Sequence, residues 1–184
     1  MNKAIQILVE LLIVGLTCLF GAFFVFGIGG AEITEALGDE TVIIAPFLLT
    51  GAFLVGFVVN ALSGAALEPV HRRAERSWLA DKPKLPRNLE EIRNEIYATG
   101  NKEIGGRLTY HRAMTRIAGS IGVAGLLLAV IALVKDKPAP AALFGLLALA
   151  GVFAVRSRVI KSADIALKTW AAINRQKPEA KQGV

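Results

Sequence analysis

The sequence predicts an all-α polytopic membrane protein with four transmembrane helices and helical cytoplasmic extensions, and three observations carry that prediction. Of 184 residues, 54% are hydrophobic, and the mean hydropathy is +0.53. Both values belong to membrane proteins rather than to soluble domains. The apolar residues also collect into four runs, residues 4–28, 41–63, 117–134 and 139–155. Finally, nineteen of the 21 Lys and Arg fall on one side of a four-span arrangement, the positive-inside pattern.

A helix needs about 20 mostly apolar residues to cross the ~30 Å hydrocarbon layer. The last two runs are slightly short of this, and flanking Arg and Lys can snorkel to compensate. None alternates apolar with polar, so barrel strands are excluded and each run must satisfy its backbone as a helix.

The first run follows Met1-Asn2-Lys3 and imitates a secretory signal. It is too long for that, Glu10 interrupts it, and no small-x-small cleavage site precedes Glu32, so it reads as a retained helix. The single cysteine, Cys18, lies inside it, which removes any disulfide framework or thiolate metal cluster. Gly27, Gly29 and Gly30 end the helix; no strand precedes them and no Gly-Lys-Ser/Thr follows, so they do not form a phosphate loop. The next loop carries Glu32, Glu35, Asp39 and Glu40 without a basic residue.

After the second run, a central segment (residues 64–116) holds eleven basic and seven acidic residues. Residues 67–79 look helical apart from Pro69, and Asp81-Lys82-Pro83-Lys84-Leu85-Pro86 breaks the helix into a turn or extended connector. Asn88 with Glu91 reads as a capping pair opening a helix whose Leu89, Ile92 and Ile96 share one face. Gly100-Asn101 marks a stop and restart. Ile104 and Leu108 then lead, past a Gly105-Gly106 weak point, into the third run. Lys135-Asp136-Lys137-Pro138 closes a hairpin between the third and fourth runs, making them antiparallel neighbours. In the tail (residues 156–184), Val159 or Ile160, Ala163, Leu167 and Trp170 form an apolar stripe that packs on the central helix or lies among headgroups. The organisation is thus residues 1–63, two helices with an acidic outer loop; 64–116, a basic helical segment; 117–155, a helical hairpin; and 156–184, an amphipathic tail. Both termini are expected in the cytoplasm of a bacterial inner membrane. The net charge of +6 is explained by topology and anionic headgroups, and no nucleic-acid partner is expected.

Few residues could carry chemistry. Glu10 is the ionisable residue well inside a run, and it is expected to pair with an arginine such as Arg116 or Arg156. Asn60, with Ser63 beside it, sits in a groove of small residues with Gly56 and needs a hydrogen-bond partner. Ala118, Gly122, Gly125 and Ala129 form a small-residue seam on the third helix, and Gly145 and Ala148 part of a shorter one on the fourth, facing each other or another subunit. Arg72, Arg73, Arg76, Arg112, Arg116, Arg156 and Arg158 are basic positions for a partner or lipid. His71 and His111 lack the companions needed for a metal site or a catalytic base, so no metal, cofactor or enzymatic activity is expected. Trp78, Trp170, Tyr97 and Tyr110 read as interfacial anchors.

The arrangement is similar to that of many small bacterial membrane proteins, membrane components of defence systems among them; the resemblance is architectural. The expected function comes from the asymmetry of the chain: the outer side is nearly bare while the inner side carries capped, amphipathic and charged helices beyond what topology requires. A non-enzymatic homo-oligomer is therefore expected whose cytoplasmic helices dock a protein partner, as scaffold, sensor or effector of a defence or envelope system. The alternative is an ion-conducting or permeabilising pore lined by Asn60 and Glu10.

Overall fold

The computed structural model describes residues 3–28, 35, 41–80, 89–99 and 102–176. Expectations for Glu32, Asp39, Glu40, the proline-rich stretch 81–86, Asn88, Gly100-Asn101 and residues 177–184 lie outside the described residues. The described chain is all-helical: α1 Lys3–Phe26, α2 Thr41–Ala80, α3 Leu89–Ala98, α4 Lys102–Val134 and α5 Pro138–Gln176. Four of these are long and apolar enough to cross a membrane, which suggests a multi-pass membrane protein.

The helix ends follow local chemistry. Gly27 takes φ +75° and the Ile28 amide donates to Phe23 O at 3.0 Å, a Schellman closure of α1. α4 ends in the same way: Lys137 N–H donates to Ala132 O at 2.9 Å while Asp136 takes φ 53°. Pro138 then opens α5, where its missing N–H costs nothing. The internal breakers do not act as such. α2 runs unbroken through Pro69, and α4 through Gly105-Gly106, because packing beyond each breaker, Ala74 and Trp78 on α2 and Leu108 on α4, outweighs the local helix penalty.

The chain divides into two compact units. The first comprises Met1–Glu68 with Arg116–Ala154. Its helices meet through backbone as much as through side chains. A Cβ on Gly15 would fall on the carbonyl oxygen of Ala52, and a Cβ on Gly56 on the carbonyl oxygen of Leu11, so α1 and α2 touch reciprocally at points one turn apart. In the α4–α5 hairpin, a Cβ on Gly122 would lie 3.1 Å from the Cα of Gly151, and one on Gly125 2.9 Å from Phe144 O. Val14, Val59 and Ala124 fill one small core; Val25, Leu128, Ala129, Ala132, Ala141 and Phe144 fill another. The outward surface is strongly apolar, with Phe47 74%, Phe153 67%, Leu146 65% and Phe20 64% exposed, which is far from the habit of a water-soluble domain.

The second unit, Pro69–Thr115 with Val155–Val184, is built differently. The predicted face of α3, Leu89, Ile92 and Ile96, is buried against Trp78, Leu108, Ala163 and Ala166, with Ile160, Leu167 and Trp170 packed around them. The tail stripe therefore packs on the central helix rather than lying free. Trp78 is a core residue, 7% exposed, and not a surface anchor.

The backbone contacts generate a prediction. Gly15→Ala should destabilise the protein by about 1–3 kcal/mol through overpacking, whereas Gly64→Ala, where a Cβ meets nothing within 4 Å, should be neutral or up to ~1 kcal/mol stabilising. Melting temperatures in one detergent check this; equal effects of the two substitutions would refute the α1–α2 contact.

Candidate functional site

The polar side chains of the first unit gather on three helices, toward the Lys3 end of α1. Glu10 comes from α1, Asn60 and Ser63 from α2, and Arg116 and Ser120 from one face of α4, a turn apart. The Glu10 side chain is 9% exposed and that of Arg116 49%. The guanidinium grips the carboxylate as a fork: Nε donates to Oε2 at 3.3 Å, and Nη2 donates to Oε1 at 3.3 Å and to Oε2 at 3.1 Å. A buried carboxylate is tolerated only when paired in this way. Of the two arginines expected as its partner, Arg116 is the one it meets.

One turn further along α4, Ser120 is fully buried. Its hydroxyl donates to Asn60 Oδ1 at 3.1 Å and lies 3.0 Å from the Ser63 hydroxyl, which donates to Asn60 O at 2.9 Å. Two hydroxyl protons thus serve three close oxygen pairs, so at any instant one pair shares a proton or goes without. The triad ties α2 to α4, with Asn60 Oδ1 accepting from Ser120. Sequence reading missed Ser120; a serine four residues beyond an arginine, and so on the same face of α4, was the available signal.

The packing residues separate into two groups. Gly56, Gly122 and Gly125 make the closest approaches, with Ala148 receiving Gly125 and Ala129 in the core. The carbonyl of Ala118 lies against Gly151. Gly145 has open space over its Cα and packs nothing. Gly15 and Gly151 were not picked out from sequence, since neither continues a regular small-residue repeat.

In the second unit, three polar links join the helices. Trp78 Nε1 donates to Asp164 Oδ1 at 2.9 Å, Trp170 Nε1 donates to Glu95, and Arg93 donates to Glu75 at 3.1 Å and to Ser162 at 3.4 Å. Arg112 lies over the Tyr97 ring at 5.5 Å. His111 Nδ1 is buried without a hydrogen-bond partner among the described residues. Of the predicted basic positions, Arg72, Arg73 and Arg76 follow one another on α2 and Arg156 and Arg158 lie on α5. Arg73 and Arg156 border a common cleft of about 450 Å³, lined also by Val70, Ala74 and Ser77. Among the described residues no three His, Cys, Asp or Glu side chains are grouped as metal ligands.

The polar groups of the first unit thus brace its helices through the Glu10–Arg116 ion pair and the Asn60–Ser63–Ser120 triad. Comparison with protein families, curated proteins and solved structures finds no match to this chain.

The ion pair yields a prediction with a sign. Arg116→Leu strands the Glu10 carboxylate and should cost about 1–3 kcal/mol, below the full cost of breaking a buried pair because Arg116 is half exposed. Glu10→Leu/Arg116→Leu should recover most of that loss. Chemical or thermal denaturation of both variants in detergent decides it, and a double variant weaker than the single one would contradict the pairing.

Proposed function

We propose that the chain is a non-enzymatic, multi-pass protein of the bacterial inner membrane, with both termini cytoplasmic. Its second unit serves as a docking platform for a cytoplasmic protein with an acidic surface. The observation that carries this reading is that the second unit has a core of its own, built from α2, α3, α4 and α5 around Ile92, Ile96, Leu108 and Trp78. Fixing the topology of four spans requires only a few Lys and Arg beside each one. It requires no buried core, tryptophan–carboxylate bonds or separate α3 helix. Across residues 69–115 and 155–184 there are seventeen basic and eight acidic residues, an electrostatic footprint that favours acidic partners.

Subunit assembly is part of the proposal and has a narrower basis. Gly56, Gly122 and Gly125 are occupied inside the protomer, whereas Gly51, Gly64 and Gly145 have free space where a Cβ would stand and are small positions open to a second copy. The pore alternative draws less support, since Glu10 and Asn60 are turned onto Arg116 and Ser120.

Cysteines introduced as Asp39→Cys and, at an exposed position, Arg76→Cys in a Cys18→Ser background test the orientation. An impermeant thiol reagent applied outside should label the first and spare the second; labelling of both from one side would overturn the topology. Native mass in mild detergent should exceed the 19.6 kDa of one chain by a whole-number multiple. A co-purifying cytoplasmic protein should be lost on Arg76→Glu/Arg158→Glu with folding intact. Ion leak from liposomes, abolished by Asn60→Leu, would replace this reading with the pore.

A further inference from the structure

The cleft bordered by Arg73 and Arg156 has a composition that neither packing nor topology explains. Val70, Arg73, Ala74 and Ser77 stand at i, i+3, i+4 and i+7 on α2 and so form one face of that helix; Arg156 comes from α5. Two arginines from two helices therefore line the same cavity of about 450 Å³, together with a serine and, among the described residues, no acid. Neither arginine makes a hydrogen bond or ion pair with a described residue. The nearby acids are engaged elsewhere: Glu75 with Arg93, and Asp164 with Trp78. Two like charges facing one cavity repel, and an anion between them turns that repulsion into two charge-assisted, forked contacts. Phosphate suits the fork geometry of guanidinium and accepts from a serine hydroxyl.

The sequence around Arg156 says where such a phosphate would come from. Arg156 is the first charge after the apolar run 139–155, so the sequence sets a guanidinium immediately beyond hydrocarbon-like side chains. A ligand with a phosphate at one end and hydrocarbon at the other meets both features. We propose that this cleft is a phosphate site filled by the headgroup of an anionic phospholipid, with Arg73 and Arg156 holding the phosphate and Ser77 donating to it. The assignment of a lipid source rests on the multi-pass reading above; the phosphate chemistry does not.

Native mass spectrometry of the full chain in mild detergent, titrated with phosphatidylglycerol or phosphatidylcholine, tests it. Wild type should retain phosphatidylglycerol over phosphatidylcholine. Arg73→Gln/Arg156→Gln should bind it at least about tenfold more weakly, and Arg175→Gln, outside the cleft, should bind as wild type. Should the double variant fail to fold, Ser77→Asp, at an exposed position, should produce the same loss by placing a carboxylate in the cleft. Equal retention by all variants, or none by wild type, overturns the site. Full displacement of the lipid by millimolar inorganic phosphate overturns the lipid source. Resistance to alkaline carbonate extraction reports membrane insertion separately, so an extraction-resistant protein that retains no phosphatidylglycerol defeats the cleft and leaves the multi-pass reading standing.

Discussion

The helices of the first unit are held by backbone meeting backbone. In its long helices only 22–44% of the most apolar window is buried inside the protein, so most residues of those windows are not enclosed by protein. What is left is close contact, where dispersion and weak Cα–H···O interactions act over short range. Gly15 against Ala52, Gly56 against Leu11, and Gly122 against Gly151 are the points where that contact is made. Each depends on a missing Cβ. α4 is the most enclosed of the four, at 44%, consistent with its meeting α2 through Ser120, α1 through Arg116, and α5 through Gly122 and Gly125.

That constraint also governs the polar groups. Helices drawn close by small residues leave little room for water, so a carboxylate or amide facing a neighbour must find its partner in protein. Glu10 finds Arg116 and Asn60 finds Ser120, and each pair joins different helices. The pairs add direction to an association that dispersion alone leaves rotationally loose, because a forked guanidinium–carboxylate contact is made in one register only.

The long helices were legible in the sequence because hydrophobic runs of membrane-spanning length have few other solutions. The face of α3 was equally legible, since Leu89, Ile92 and Ile96 repeat at helical spacing and a capping pair announces them. The limits were of two kinds. Pro69 and Gly105-Gly106 looked like interruptions because local propensity was weighed without the packing of Trp78, Ala74 and Leu108 beyond them, and tertiary contacts outweigh propensities of this size. Gly15, Gly151 and Ser120 were invisible for a different reason. A single glycine or serine in an apolar helix means nothing until the facing helix is known, and the choice of facing residue depends on rotation about the helix axis, which hydropathy does not encode. Trp78 shows the same ambiguity, since an indole serves as well in a core with Asp164 as at a lipid surface.

Arginines near the ends of apolar helices are ordinarily accounted for by topology, and topology is indifferent to which face of a helix carries them. The second unit is not indifferent. There Arg93 donates to Glu75 and Ser162 and Arg112 lies over Tyr97, while in the first unit Arg116 holds Glu10, so these arginines act as structural cross-links. Arg73 and Arg156 line one cavity and have no partner in it among the described residues. Two arginines lining one cleft, with no acid among its described lining residues, place positive potential there. Positive potential of that kind is what an anionic ligand or lipid surface responds to.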